Sequence, residues 1–278
     1  MKRIFYVLVF LFSLFFISPN VFSQAGKDGA RTITAANTVV NNYSSLRLAG
    51  GGAGSVTLAS GSTTINHAGG FTLTPGDLVM IIQIQGGSGF TMDQTTTSAT
   101  YGNITNYGNA GVYELRVVQS VPSSTSFVVD RGLTNTYVST TLTGSGNNAR
   151  AQVVKIPRYS ALTINAGASI VPTSWSTNNG VGGIVAIEVS GTTTINGTGT
   201  INANGAGFRG GVVQNSSNAT VPTTNVDYAI TDQTRGAAKG GSIAGSTTFD
   251  PTTFAVTGTL PGPIYGRGAP ANGGGGGN

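Results

Sequence analysis

Apolar positions fall two residues apart through much of the first half of the chain. In "GDLVMIIQIQG", Leu78, Met80, Ile82 and Ile84 share one face, and Val79, Ile81, Gln83 and Gln85 share the other. "VYELRVV" repeats the device, with Tyr113, Leu115 and Val117 opposite Glu114 and Arg116. "TSFVVD" and "AQVVKIP" add two further runs of strand length. A period of two puts successive side chains on opposite sides of a pleated strand. The phrase "TPGD" at Thr74–Asp77 is a turn signal, because Pro75 fixes φ and Gly76 tolerates the reversal. Short strands with turns between them predict a small β-barrel or sandwich over residues 24–156. The polar, Thr-rich stretch Phe90–Ala110 interrupts the alternation and reads as a floppy loop. Within it, Tyr101 and Tyr107 are candidate ligand contacts.

The rhythm changes after residue 157. Thr163, Ile164, Asn165 and Ile170 match Thr194, Ile195, Asn196 and Ile201, each pair 31 residues apart. A repeat of that length predicts a β-solenoid-like segment, of right-handed β-helix type, over residues 157–211. Each coil would add a strand above the last, with Ile stacked on Ile and Gly or Asn at the corners. A pair of ordinary hairpins would give the same spacing. From Val212 the pattern fades. "QNSSNATVPTTN" reads as a surface insertion, and "RGAAKGGSIAGS" and "GPIYGRGAPANGGGGGN" carry no core-building period. Residues 212–278 are therefore expected to be a Gly-rich irregular region, and the halt inside a glycine run points to a fragment.

The first residues follow neither rhythm. Lys2 and Arg3 precede an apolar run from Ile4 to Ile17, followed by "SPNVFSQA". This is the form of a secretory signal peptide over residues 1–23, cut between Ser23 and Gln24. The run is short of the roughly 20 residues that a spanning helix needs. No second such run follows, so the mature chain is expected not to span a membrane and to be secreted or held at the cell surface.

Composition narrows the chemistry. Only 8% of the residues are charged, 43 are Gly, and there is no Cys. Ser, Thr, Asn and Gly must then solvate the surface, and neither a disulfide scaffold nor a thiolate metal site is available. Without Lys2 and Arg3, 12 basic residues stand against 9 acidic ones, with no basic cluster interleaved with aromatics. Nucleic acid is not an expected partner.

Candidate reactive groups are few. His67 is the one histidine and reads as a loop residue. The acidic residues are Asp28, Asp77, Asp93, Glu114, Asp130, Glu188, Asp227, Asp232 and Asp250, and the solenoid-like segment holds only Glu188. A glycosidase needs two carboxylates about one bond, roughly 5–9.5 Å apart, and calcium loops need closely spaced Asp. "GGAGSVTLASG" has no Lys after its glycines and no helix following, so it is no phosphate cradle. No catalytic, cofactor-binding or metal-ligating residue is expected. Trp175 reads as a packing residue, the alternative being a ring that stacks on sugar. Arg209 reads as a cap on a tight corner, or a contact to an acidic glycan, with Phe208 packed inside. Tyr101, Tyr107, Trp175 and Arg209 are thus the candidate glycan contacts.

Several phrases, in order, carry a resemblance. They are "GDLVMIIQIQG", "GVYELRVV", "AQVVKIPRYSALTI", "GGIVAIEVSGTTTINGTGTINANGAGFRGG", "GAAKGGSIAG" and "YGRGAPANGGGGGN". The chain resembles the N-terminal part of the large Gly-rich exported proteins of gliding bacteria, of adventurous-gliding-motility or adhesin-like type. The resemblance implies a surface-associated β-rich protein with no catalytic residues to carry over. It implies polysaccharide or a neighbouring cell surface as partner. Members of that family are longer, and some carry a C-terminal sorting signal. Two other expectations stand beside it. One is the N-terminal part of a β-helical polysaccharide lyase or glycosidase whose catalytic part lies elsewhere. The other is a passive spacer.

Overall fold

The structure is a computed structural model and describes residues 24–47, 50, 54–93, 100, 103–140, 149–176, 180–208 and 243. The strands, in chain order, begin with β1 (Ala30–Ile33), β2 (Asn42–Ser45), β3 (Val56–Leu58), β4 (Thr64–Asn66), β5 (Leu78–Gln85) and β6 (Thr91–Met92). Next come β7 (Ile104–Asn106), β8 (Tyr113–Ser123), β9 (Ser126–Val129), β10 (Tyr137–Ser139), β11 (Arg150–Ile156) and β12 (Arg158–Tyr159). The series closes with β13 (Ala161–Ile164), β14 (Ser169–Ile170), β15 (Glu188–Val189), β16 (Thr193–Ile195) and β17 (Thr200–Ile201). The fold is all-β, as the alternation predicts. Among the described residues no helix is long and apolar enough to cross a membrane.

Six strands form one antiparallel sheet in the order β2-β11-β5-β8-β9-β4. The sheet curls into a half-barrel until its two edges touch. Leu46 and His67 bridge there, with Arg47 N–H on the Asn66 carbonyl at 3.2 Å and Ala68 N–H on the Ser45 carbonyl at 3.0 Å. Val79, Ile81, Val118, Phe127, Val129, Ala151 and Val153 fill the concave side, and Leu58 of β3 and Tyr137 of β10 close over them. A fully buried side chain such as Ile81 or Phe127 contributes about 1.5–3 kcal/mol from lost water contact.

The inward face is the mixed one. On β5, Val79, Ile81, Gln83 and Gln85 are buried, while Met80, Ile82 and Ile84 are only half-buried. On β8, Glu114, Arg116 and Val118 turn in, and Tyr113 and Leu115 turn out. The inward polar groups have work inside. Gln83 Oε1 accepts the Val138 N–H at 2.8 Å, and its Nε2 donates to the Val138 carbonyl at 2.8 Å. One side-chain amide thereby replaces a strand partner for β10. Glu114 pairs with Arg116 and accepts the Thr134 N–H at 2.8 Å, the Asn135 N–H at 2.7 Å and the Tyr137 hydroxyl at 3.1 Å.

The remaining major strands stack in parallel. β1, β13 and β16 lie in register, with Ile33, Ile164 and Ile195 on one rung. β12 pairs with β15, and β14 with β17, which sets Ile170 against Ile201. Three of the four matches in the 31-residue repeat are stacked pairs: Thr163 with Thr194, Ile164 with Ile195 and Ile170 with Ile201. Ile33, Leu162, Ile164, Ala168 and Ile170 form the core of the stack, flanked by Val40, Val185, Ile187 and Val189. The first strand of the chain belongs to this stack, so the curled sheet is inserted between the first coil and the second. The Phe90–Ala110 stretch, expected as a loop, carries the short β6–β7 pairing, with Thr91 opposite Asn106. Phe90 is buried against Ile104, Ala110 and Ile243.

Sheet and stack meet at two junctions. At the first, Asp77 accepts from Lys27 at 2.5 Å and Lys155 at 2.9 Å. Arg158 pairs with Glu188 and donates to the Gly76 carbonyl at 3.2 Å, which ties the Thr74–Asp77 turn to the second coil. At the second, the extended run 182–186 crosses the outside of β2 and β11. Gln152 holds both polar groups of Gly182, accepting at 2.9 Å and donating at 3.1 Å. The Tyr43 hydroxyl donates to the Ile184 carbonyl at 2.5 Å. Asn41 donates to the Ala186 carbonyl at 2.6 Å and accepts the Ala186 N–H at 3.1 Å. Residue 182 must be glycine, because its φ is +102° and a Cβ would lie 2.6 Å from the Ser174 carbonyl oxygen.

Gln152→Leu keeps the volume but strands both polar groups of Gly182. It should cost about 2–4 kcal/mol, since each unsatisfied buried group costs about 1–3 kcal/mol. Urea unfolding monitored by circular dichroism checks this as a lower midpoint at unchanged slope.

Candidate functional site

The cover formed by residues 182–186 stops partway across the outer face. Gln152 and Val154 beneath it are fully buried. Their neighbours one strand further, Met80 and Ile82, pair with Leu115 and Tyr113 of β8. Leu115 is 41% exposed and Tyr113 58% exposed. The half-buried Met80, Ile82 and Ile84 and the exposed Tyr113 and Leu115 therefore form an uncharged strip beside the covering segment. Contiguous apolar surface of this kind is a candidate contact face.

Beyond Tyr113 the chain turns back through residues 107–112, and Tyr107 stands 62% exposed at the far side of the turn. The turn is held on all sides. Gly108 N–H donates to Asn106 Oδ1 at 2.9 Å, and Ala110 N–H to the Tyr107 carbonyl at 3.0 Å. Asn109 Nδ2 reaches the Thr136 carbonyl at 2.8 Å, and Gly111 N–H the Gln83 carbonyl at 2.8 Å. Gly108 has φ +50°, and a Cβ there would fall 2.4 Å from the Phe90 nitrogen. Two exposed tyrosines thus flank a turn whose backbone has little freedom. Tyrosine offers a broad apolar ring with a polar tip.

The other candidate contacts are placed differently. Trp175 is half-buried on the parallel stack, edge-on to Phe208 with ring centroids 5.5 Å apart. Its N–H donates to the Ala206 carbonyl at 2.8 Å, so its backbone serves coil stacking. Tyr101 and Arg209 lie outside the described residues, as do Asp227, Asp232 and Asp250. Tyr113 and Leu115 were not singled out by the sequence. Their alternation with Glu114 and Arg116 was the available signal, and the buried charges invert the usual reading of it.

His67 is not a loop residue. It is 2% exposed, with its ring 5.3 Å from that of Phe71 and 5.5 Å from that of Phe127. Nδ1 accepts the Gly69 N–H at 3.2 Å and lies 3.1 Å from Ser44 Oγ. The sheet edges meet at this residue, which is why it is inside. Burial disfavours the imidazolium and lowers the pKa from its ordinary 6.5.

Each described carboxylate is engaged. Asp28 accepts the Arg158 N–H at 2.7 Å, Asp93 the Thr100 hydroxyl at 2.6 Å, and Asp130 the Val117 N–H at 3.0 Å. For Asp77, burial alone would raise the pKa, but hydrogen bonds from Lys27, Lys155 and the Thr74 N–H outweigh it and hold the carboxyl below 3.8. For Glu114, burial is likewise outweighed by the Thr134 and Asn135 donors and by Arg116, which hold it below 4.5. Among the described residues no three His, Cys, Asp or Glu converge as a metal site would require.

No protein-family model matches the chain, and no curated protein matches it. Solved structures similar to part of it include three phage tailspikes. The tailspike gp61 of Pseudomonas phage phi297 is 11% identical at TM-score 0.24, over 64% of this chain and 24% of that one. The tailspike protein gp49 from Pseudomonas phage LKA1 is 12% identical at TM-score 0.22, over 54% of this chain and 27% of that one. The Gp54 tailspike of Acinetobacter baumannii bacteriophage AP22, solved in complex with A. baumannii capsular saccharide, is 17% identical at TM-score 0.24. That match covers 61% of this chain and 23% of the tailspike. The chain spans about a quarter of the length of these tailspikes.

Acid should lower the protein's stability over two ranges of pH. The unfolded imidazole of His67 takes up a proton near pH 6.5, while the buried ring resists, so stability falls as the pH drops below 6.5. Asp77 and Glu114 contribute fully above their ordinary values of 3.8 and 4.5, and that contribution is lost as the pH falls through their lower folded-state values. Thermal melts from pH 8 to pH 3 should show both declines, and His67→Gln should remove the first and leave the second.

Proposed function

We propose that the chain is an exported, non-enzymatic, adhesin-like surface protein, linked to attachment or gliding, whose curled sheet meets polysaccharide. One observation carries this reading: Tyr113 and Tyr107 stand exposed about a pinned turn, beside an uncharged apolar strip. Sugar rings present C–H faces that stack on tyrosine and hydroxyls that hydrogen-bond to its tip and to nearby amides. A backbone already held in place loses little further freedom on binding. The commitment of each described carboxylate to an internal partner supports recognition over hydrolysis, because an acid–base pair must be available to the substrate. The positive start and apolar run of residues 1–23 support export. The resemblance to exported proteins of gliding bacteria supports attachment as the setting.

Two experiments test the parts separately. Mass spectrometry of the exported protein should find Gln24 as its first residue, and retention of Met1 after secretion would sink the address. The protein from Gln24 onward, applied to an array of bacterial polysaccharides, should retain at least one. Tyr107→Ala and Tyr113→Ala should each weaken that binding roughly 2- to 10-fold, matching about 0.5–1.5 kcal/mol per aromatic contact. Both residues are exposed, so melting temperatures should hold within a few degrees. No retention on any glycan would leave the spacer reading, and new reducing ends in the retained polysaccharide would favour the enzyme.

A further inference from the structure

Two arginines face each other on the outer side of the curled sheet. β2 and β11 run antiparallel, with Ser45 opposite Gln152 and the Leu46 N–H on the Ala151 carbonyl at 3.2 Å. The same register sets Arg47 opposite Arg150. Leu46 and Ala151 belong to the core, so the arginines, one position further, share the outer face. Like charges directly opposite on paired strands repel. Arg150 is only 6% exposed, and its stem passes under Gly180, where a Cβ would overlap Arg150 Cδ. Arg47 is half-buried, and its Nε is shut off from solvent with no hydrogen-bond partner among the described residues. Burial and the Arg47 charge both lower the pKa of Arg150 from its ordinary value, yet a guanidinium stays charged in proteins.

The other buried arginines are arranged differently. Arg116 pairs with Glu114, and Arg158 with Glu188. Among the described residues no carboxylate pairs with Arg47 or Arg150. The undescribed stretches nearest to them in the chain, 48–49, 51–53, 141–148 and 177–179, contain no Asp or Glu. Arg150 Nη1 donates to the Thr140 carbonyl and to the Ala149 carbonyl at 3.1 Å. Those carbonyls orient the guanidinium without neutralising it. A charge drawn out of water is costly unless an opposite charge meets it. Two planar guanidinium forks at cross-strand spacing, one of them held by carbonyls, suit an oxyanion.

We propose that Arg47 and Arg150 form a binding site for an oxyanion: a carboxylate, sulfate or phosphate group, free or carried on an acidic sugar. β5 and β11 separate β2 from the tyrosine-bearing β8, so the site stands whether or not those tyrosines meet polysaccharide. The test is isothermal titration calorimetry of the chain from Gln24 to Asn278. The probes are sodium sulfate, sodium phosphate and sodium glucuronate, against sodium chloride at matched ionic strength. Saturable binding of at least one oxyanion, at one site per chain and absent with chloride, is expected. Binding of glucuronate alone would identify a sugar carboxylate, and binding of sulfate or phosphate a free ion; either upholds the site. Arg47→Gln should weaken binding about 10-fold or more, the effect of losing one charge-assisted contact. Arg131→Gln, at an exposed arginine elsewhere, should leave it unchanged. Arg47→Gln should still melt within a few degrees of the parent in chloride. Should it melt lower, Arg47→Lys, which keeps the charge and loses the fork, reads the same weakening on a folded protein. Arg150 also holds two carbonyls, so the Arg47 variants carry the test. No saturable binding of any oxyanion, or equal binding in the parent and both Arg47 variants, would overturn the proposal. So would binding that appears only in the triple variant D227N/D232N/D250N, which would make one of the chain's own carboxylates the occupant.

Discussion

Backbone N–H and C=O groups turned away from water must each find a partner, and in this protein side-chain amides supply many of the partners that strands do not. An amide offers a donor and an acceptor in the same plane, as a peptide group does. Gln83 completes β10, Gln152 holds Gly182, and Asn41 holds Ala186. With Tyr43 on Ile184, the contacts on the crossing run fall at every second residue, which is the spacing a real strand partner would impose. The low charge and high amide content of the sequence are then one property seen twice. Amides replace backbone partners without a desolvated charge, which would cost far more.

Charge is used where position has to be specified. Lys27, just before β1, and Lys155, at the end of β11, converge on the buried Asp77, while Arg158 reaches from the second coil to the same turn. Buried ion pairs add little net stability, but removal of one partner is costly, so they discriminate strongly between the right and the wrong arrangement. Glu114 and Arg116 do the same for the residues 132–137 that close the half-barrel. With these charges held inside, the open strip at Tyr113 and Leu115 is left neutral. The proposed contact there would rest on shape and ring stacking and not on ion pairing.

Much of this was legible. The alternation in Leu78–Gln85 and Tyr113–Val117 marks strands, and the offset of 31 marks stacked coils because a parallel stack repeats the same environment at each rung. Which face turns inward was not legible. The partners of Gln83 and Glu114 lie 55 and about 20 residues away, and no local pattern records them. The same distance hid the exposure of Tyr113 and the burial of His67, whose fate is set by two sheet edges meeting. The first strand was hidden for a related reason. Ala30–Ile33 is four residues long, and its partner begins at Ala161.

That separation would be expensive if it had to be closed by chance, since long loops lose entropy on closure. The curled sheet removes the difficulty. Asn42 at its entry pairs with Lys155 at its exit, so the sheet brings its own two ends together. The residues just outside those ends, β1 on one side and β13 on the other, are thereby delivered side by side and parallel. The first rung of the stack and the two ends of the sheet therefore hold one another in place. A sheet mounted in this way, between two coils and clamped at the Thr74–Asp77 turn, cannot swing on a linker. Force applied at the exposed tyrosines passes into stacked strands through two chain connections and a set of buried ion pairs.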